Sequence, residues 1–121
     1  MNITEIAFTV YPVTDLARSR AFYEKTLGLT PAREFLEEGG SFVEYDIASG
    51  TFAIGEAREG FTPTPTGASI AFEVSDFDAA VAELRKAGTP FVMEPLETPV
   101  CRMALISDPD GSALFIHQRK G

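Results

Sequence analysis

Cysteine, histidine and tryptophan are almost missing from this chain of 121 residues, which contains one, one and none of them. A single cysteine, Cys101, cannot close an internal disulfide, so the expected setting is reducing and cytoplasmic. Positive charge is scarce too. Ten Lys and Arg against 18 Asp and Glu leave a formal net charge of −8. Phosphate binding needs a basic face, so no nucleic-acid partner is expected. The surplus of carboxylates suits a cationic ligand, and it equally suits plain solubility. No run approaches the roughly 18 apolar residues that span a bilayer. The opening MNITEIAFTV has no basic start followed by an apolar stretch. Neither a membrane partner nor a signal peptide is therefore expected.

What remains is ordinary material for a folded domain. Apolar residues make up 45% and charged residues 23% of the chain, which excludes disordered, collagen-like and disulfide-knot classes. A chain of this length buries about 65% of the surface it exposes when unfolded, enough for a core without staples. Phenylalanine is the commonest aromatic, ten against three tyrosines, and most of it belongs in that core.

The chain also repeats itself. Ile6-Ala7-Phe8-Thr9-Val10 matches Ile70-Ala71-Phe72-Glu73-Val74 at four of five positions, at an offset of 64. Leu27-Gly28 against Ala87-Gly88 is offset by 60, and Ser49-Gly50-Thr51 against Asp110-Gly111-Ser112 by 61. Three landmarks in order predict a single domain over residues 1–121 built from two modules, 1–59 and 68–121. Residues 60–67, rich in Pro, Thr and Gly, are the linker between them.

Each module opens with an alternating strand. Period two predicts that Ile6, Phe8 and Val10 meet the helices while Glu5, Ala7 and Thr9 face a wetter side. Ile70, Phe72 and Val74 are set likewise against Ser69, Ala71 and Glu73. Thr14 or Asp15 caps the first helix, whose buried positions are Leu16, Phe22, Tyr23 and Leu27 and whose end is Gly28. Ser75 caps the second, Phe77, Val81 and Leu84 form its apolar stripe, and Gly88 and Pro90 stop it. Three strands follow in each half, near 33–36, 41–47 and 51–54, and near 91–94, 101–107 and 112–117. The order is βαβββ used twice, an α+β fold.

Together these residues resemble the vicinal oxygen chelate superfamily, the glyoxalase, bleomycin-resistance and dioxygenase fold. The resemblance rests on Phe8-Thr9-Val10, Asp15-Leu16, Ser19 through Tyr23 and Leu27-Gly28-Leu29, and on Asp108-Pro109-Asp110-Gly111 near the C-terminus. It covers nearly the whole chain. It implies that the two βαβββ modules pair their mixed sheets around a U-shaped cleft and that the chain forms a homodimer. Members include lyases, epimerases, ring-cleaving dioxygenases, thiol transferases and non-catalytic drug binders, so the fold does not choose the reaction. It also implies one metal ligand on the first and last strand of each module. Counted from the motifs, those positions are Glu5, Ile54, Ser69 and Phe115. Glu5 is permissive, neutral Ser69 is a poor ligand, and Ile54 and Phe115 have no donor atom. The expectation is no metal and no other cofactor, with a divalent ion as the alternative.

Candidates to line the cleft are Glu5, Thr9, Phe52, Ile54, Ser69, Glu73, Cys101, Met103, Phe115 and His117. Phe115 and His117, two residues apart, share a strand face. If Glu5, Glu73 and His117 meet, they form either a substitute metal site or a general base with a carboxylate to orient it. Otherwise His117 is a solvated residue at the end of the last strand. Arg102 beside Cys101 suits a reactive thiol, and a small buried apolar role is the other reading. Two functions follow. One is a metal-free binder of the bleomycin-resistance type that takes a small apolar or cationic molecule. The other is a glyoxalase- or epimerase-type lyase or isomerase with a site rebuilt around Glu5 and His117. A scaffold whose cleft is plugged by its own side chains is a third reading.

Overall fold

The structure is a computed structural model that describes residues 1–120. The chain divides into two compact units, one spanning Met1–Pro63 and the other starting at Thr64. In the first, β1 (Thr9–Val13) leads into α1 (Leu16–Arg20), which runs on as a π-helical segment (Ala21–Thr26). Strands β2 (Arg33–Phe35), β3 (Phe42–Ile47) and β4 (Gly50–Glu56) follow. The second unit holds β5 (Ile70–Glu73), α2 (Phe77–Lys86), β6 (Phe91–Glu97), β7 (Cys101–Ser107) and β8 (Ala113–Arg119). Their sheets are ordered β1-β4-β3-β2 and β5-β8-β7-β6. In each, the first strand lies parallel to the last and the other pairs are antiparallel. This is βαβββ twice, the α+β arrangement expected from the sequence. Among the described residues no helix is long and apolar enough to cross a membrane.

Both helices start the same way. Asp15 (φ −138°, ψ 99°) and Asp76 (φ −139°, ψ 97°) each accept a hydrogen bond from the backbone three residues on, Arg18 N and Ala79 N, at 3.1 Å. The cap of α2 is therefore Asp76 and not Ser75, whose carbonyl instead accepts from Gln118 Nε2 at 2.9 Å. Both helices end at a left-handed glycine, Gly28 (φ 76°) and Gly88 (φ 74°). One more residue separates Asp15 from Gly28 than separates Asp76 from Gly88. The π-helical segment absorbs it, with Leu27 N–H donating to the Phe22 carbonyl five residues back at 2.9 Å.

The equivalent caps place the true offset between the opening strands at 61 and correct the expected first strand. Val13-Thr14-Asp15 corresponds to Val74-Ser75-Asp76, so Tyr11 answers Phe72 and the likeness of 6–10 to 70–74 is coincidental. Strand β1 begins at Thr9, because its partner β4 supplies a ladder only from Thr9↔Phe52 to Val13↔Glu56. Ile6, ahead of that ladder, is 83% exposed. A shift of three residues is odd, so it exchanges the two faces. Tyr11 and Val13 go under the helix, while Phe8 and Val10 belong to the opposite side.

The helix-covered side of the first sheet is an aromatic core. Phe52 is ringed by Tyr23, Tyr11 and Tyr45 at centroid distances of 5.1, 5.5 and 6.4 Å. Val43 and Ile54 are fully buried with them. The Tyr45 hydroxyl donates to Glu24 at 2.8 Å, and Arg20 bridges Glu24 and Glu34 at 2.6 Å each. Burial first, and then the Glu24 carboxylate, push the Tyr45 hydroxyl above the usual phenol range. In the second unit Phe77 and Leu84 of α2 are buried, as are Ala104, Ile106, Leu114 and Ile116 of the sheet. The Arg102 guanidinium covers the Phe77 ring at 4.8 Å.

Ile54→Ala is expected to destabilise the protein by about 2–5 kcal/mol, the cost of a large-to-small change in a core. Urea unfolding measures this, and a loss under about 1 kcal/mol would show that the side chain does not pack there.

Candidate functional site

Strand alternation sorts the sequence candidates by face. Thr9, Phe52 and Ile54 lie on the helix-covered face of the first sheet, in register with Tyr11 and Val13 or next to them. Phe52 and Ile54 are 2% and 0% exposed. Their expected place as cleft lining is corrected: they are core. Glu5 lies in the exposed segment ahead of β1, and Ser69 is exposed just ahead of β5. Cys101, Met103, Phe115, His117 and Glu73 all fall on the helix-free face of the second sheet. Cys101 is buried, with Sγ 3.2 Å from Thr98 Oγ1. Arg102 turns to the other face, where Asp78 holds it at 2.7 Å, so the residue beside the thiol does not face it.

The helix-free face of the first sheet carries a feature that the sequence reading missed. A cavity of about 340 Å³ is lined by Phe8, Val10, Phe42, Phe61 and Gly55, with Glu56 and Arg58 as its charged members. Phe8 stands edge-on to Phe42 at 5.8 Å, and Phe35 extends the aromatic row at 6.0 Å. Gly55 keeps the floor low, since a Cβ there would lie 3.2 Å from Phe42 Cδ2 and 3.5 Å from Phe61 Cε2. At the far end of the same face Arg33 is hydrogen bonded to Glu44 and Asp46. Arg33, and then the Thr51 hydroxyl, hold the Asp46 carboxyl below the usual carboxylate range. Aligning Val13-Thr14-Asp15 with Val74-Ser75-Asp76 would have put Phe8 and Val10 on this face.

In the second sheet two of the predicted residues meet. Glu73 and His117 are register partners on the parallel strands β5 and β8. His117 Nδ1 lies 2.6 Å from Glu73 Oε1, and the Arg119 backbone N–H donates to Glu73 Oε2 at 2.7 Å. The backbone bond first, and the imidazole second, hold the Glu73 carboxyl below its usual range.

The metal-ligand positions also move with the register. Five residues before Val13, the partner of Val74, is Phe8 rather than Glu5. In the ladders Thr9 pairs with Phe52 and Ile70 with Leu114, so Phe115 corresponds to Ala53 and not to Ile54. The cause is turn length. Ala48 and Ser49 alone join β3 to β4, with Ala48 at φ 52°, whereas residues 108–112 join β7 to β8 with Gly111 at φ 83°. The four positions are then Phe8, Ala53, Ser69 and Phe115, and only the serine has a side-chain donor. These residues do not fit a divalent transition metal. Among the described residues no three His, Cys, Asp or Glu side chains group to hold one.

A carboxyl with a depressed pKa stabilises the fold above its unfolded value and loses that contribution as pH falls through its native one. Glu73→Gln is therefore expected to be less stable than wild type at neutral pH. The gap should close as acid protonates the wild-type carboxyl, and urea midpoints over a pH series measure it. A gap that persists unchanged into strong acid would contradict the assignment.

The model of the Glyoxalase/Bleomycin resistance protein/Dioxygenase superfamily matches residues 5–115. No curated protein matches the chain. Among solved structures the fold is similar to TnmS3, an antibiotic binding protein from Streptomyces sp. CB03234 (23% identity, TM-score 0.81, 99% of each chain covered). It is similar to a glyoxalase/bleomycin resistance protein from the same strain (24% identity, TM-score 0.76, 94% of this chain and 100% of that one). It is also similar to FosX, a genomically encoded fosfomycin resistance protein from Listeria monocytogenes (18% identity, TM-score 0.76, 97% of this chain and 94% of that one). At such identities the likeness shows the fold alone. With the family model spanning both βαβββ units, the chain belongs to the Glyoxalase/Bleomycin resistance protein/Dioxygenase superfamily.

Proposed function

We propose that this protein is a non-catalytic, metal-free binder that sequesters a small apolar or cationic molecule. The observation that carries the reading is the Phe8, Phe42 and Phe61 cavity above Gly55. Its volume suits a small molecule, and its lining is apolar with a few charged groups, as ligand pockets are. Aromatic faces attract organic cations, and the net charge of −8 favours a cation in the approach. Phe8, Ala53, Ser69 and Phe115 at the ligand positions support the absence of a metal cofactor. TnmS3, to which the fold is similar, is an antibiotic binding protein, which agrees with sequestration. A homodimer belongs to the same reading, since Ile3, Ile6, Val92 and Val100 leave apolar side chains exposed. The lyase or isomerase reading is less favoured, because His117 Nδ1 is already engaged by Glu73 Oε1 at 2.6 Å.

Binding is tested by thermal shift and calorimetry with benzyltrimethylammonium and with uncharged aromatic compounds of the same size. At a hundred times Kd a ligand that binds only the folded state adds about 2.7 kcal/mol of stability. Gly55→Val fills the cavity floor and is expected to abolish the shift, whereas Ser69→Ala should not change it. Equal binding by Gly55→Val would place the ligand elsewhere. Metal analysis of purified protein is expected to find far less than one transition-metal ion per chain, and one tightly held ion per chain would overturn the metal-free reading.

A further inference from the structure

The pairing of Glu73 with His117 has chemistry of its own. The Glu73 carboxyl is ionised, since two hydrogen bonds hold it that way, and an ionised carboxylate only accepts. The hydrogen in the 2.6 Å contact therefore belongs to His117 Nδ1. A neutral imidazole with hydrogen on Nδ1 carries its lone pair on Nε2. Nε2 makes no hydrogen bond to a described residue. Both oxygens of Glu73 are occupied, by the imidazole and by the Arg119 backbone N–H, so the Nδ1–H has a fixed acceptor.

The strand neighbours of the ring on this face include apolar residues. Met103 is the register partner of His117 on β7, and Ala71 is the partner of Phe115 on β5. All lie on the helix-free face. The His117 side chain is 25% exposed, so it is largely covered yet reachable. The charged groups beside it are Glu73 from β5 and the Arg119 side chain of its own strand, whose Nη1 lies 3.9 Å from Glu73 Oε1. A flat apolar body laid on Phe115 and Met103, with one acidic hydroxyl at its edge, matches this set.

We infer that Glu73 and His117 form a proton-accepting site for a phenolic hydroxyl, with Phe115 and Met103 as the floor for the ring. The phenol O–H bond breaks, its electron pair stays on oxygen, and the proton forms a bond to Nε2. The product is an imidazolium that keeps its Nδ1–H on Glu73 and donates from Nε2 to the phenolate. No oxidant, metal or second reactant enters. Every group lies in the second unit, so the inference stands independently of the cavity in the first.

One titration tests it, because the chain has one histidine and its imidazole nitrogens give a single pair of resonances. Uniformly ¹⁵N-labelled protein is titrated with 4-nitrophenol at a pH where the free protein's Nε2 resonance is that of the unprotonated nitrogen, and phenolate is read against the same solution without protein. Expected are a saturable shift of the Nε2 resonance to the protonated position and growth of the visible phenolate band. 4-Nitroanisole, which has the ring but no acidic proton, should leave Nε2 unprotonated. His117→Gln should remove the phenolate band, and Glu73→Gln should weaken binding about tenfold or more, the worth of one charge-assisted hydrogen bond. The inference is overturned if no saturable shift occurs, if nitrophenol binds without protonating Nε2, or if both folded variants bind phenolate as wild type does.

Discussion

A strand residue has two choices, to face the helix or to face away from it, and its hydrogen-bonded neighbour makes the choice for both. In each unit the parallel ladder between the first and last strands is the point of decision. Thr9↔Phe52 to Val13↔Glu56 sets one unit, and Ile70↔Leu114 to Glu73↔His117 sets the other. Once those pairs are made, Tyr11, Phe52 and Ile54 can only go under α1, and Val10, Ala53 and Gly55 only to the far side. Slipping the first ladder by one residue would turn Tyr11 and Val13 from the core to the opposite face, and slipping the second would part Glu73 from His117. The cavity and the Glu73–His117 pair are both consequences of this parity.

Much of the fold was legible in the sequence. Period two, capping residues and the Asp-Pro-Asp-Gly turn located seven of the eight strands to within a few residues, and Asp15, Gly28 and Gly88 marked helix ends correctly. Two things hid the rest. The five-residue likeness around Ile6 and Ile70 outweighed the shorter Val-polar-Asp match that governs the geometry. Gly50 and Gly111 look equivalent but are not, since one lies in a strand and the other in a turn. Each error is odd in residue number, so each reversed a face. That is why Phe52 and Ile54 read as lining while Phe8 did not. On the second sheet, where the opening strand was placed correctly, Phe115, His117 and Glu73 came out on one face as expected.

Charge pairing then trims what each face can do. Several of the chain's few cations are committed: Arg20 to Glu24 and Glu34, Arg33 to Glu44 and Asp46, Arg85 to Glu94, Arg102 to Asp78. These pairs lie at the surface or near it, where each stabilises little, yet they hold those guanidinium groups against carboxylates. Arg102 also packs over Phe77 on the helix side, and Cys101 lies against Thr98. The surplus of carboxylates therefore acts on approaching molecules as a general negative field rather than through one dominant group.

The two units share one plan and place different chemistry at the same point of it. Pro12 and Gly55 are partners where Glu73 and His117 are partners in the other unit. In the first unit the pair contributes no polar side-chain atom, and the absent Cβ of Gly55 leaves room beneath Phe42 and Phe61. In the second the pair supplies an imidazole with an open lone pair. Neither arrangement needs the metal donors that the four-ligand pattern would require. A phenylalanine at a ligand position excludes an ion by chemistry and by volume, and it supplies a surface for stacking instead. Under the proposed reading, hydrocarbon in place of donors leaves the first unit a pocket that selects by shape, and separately leaves the second an imidazole that accepts a proton.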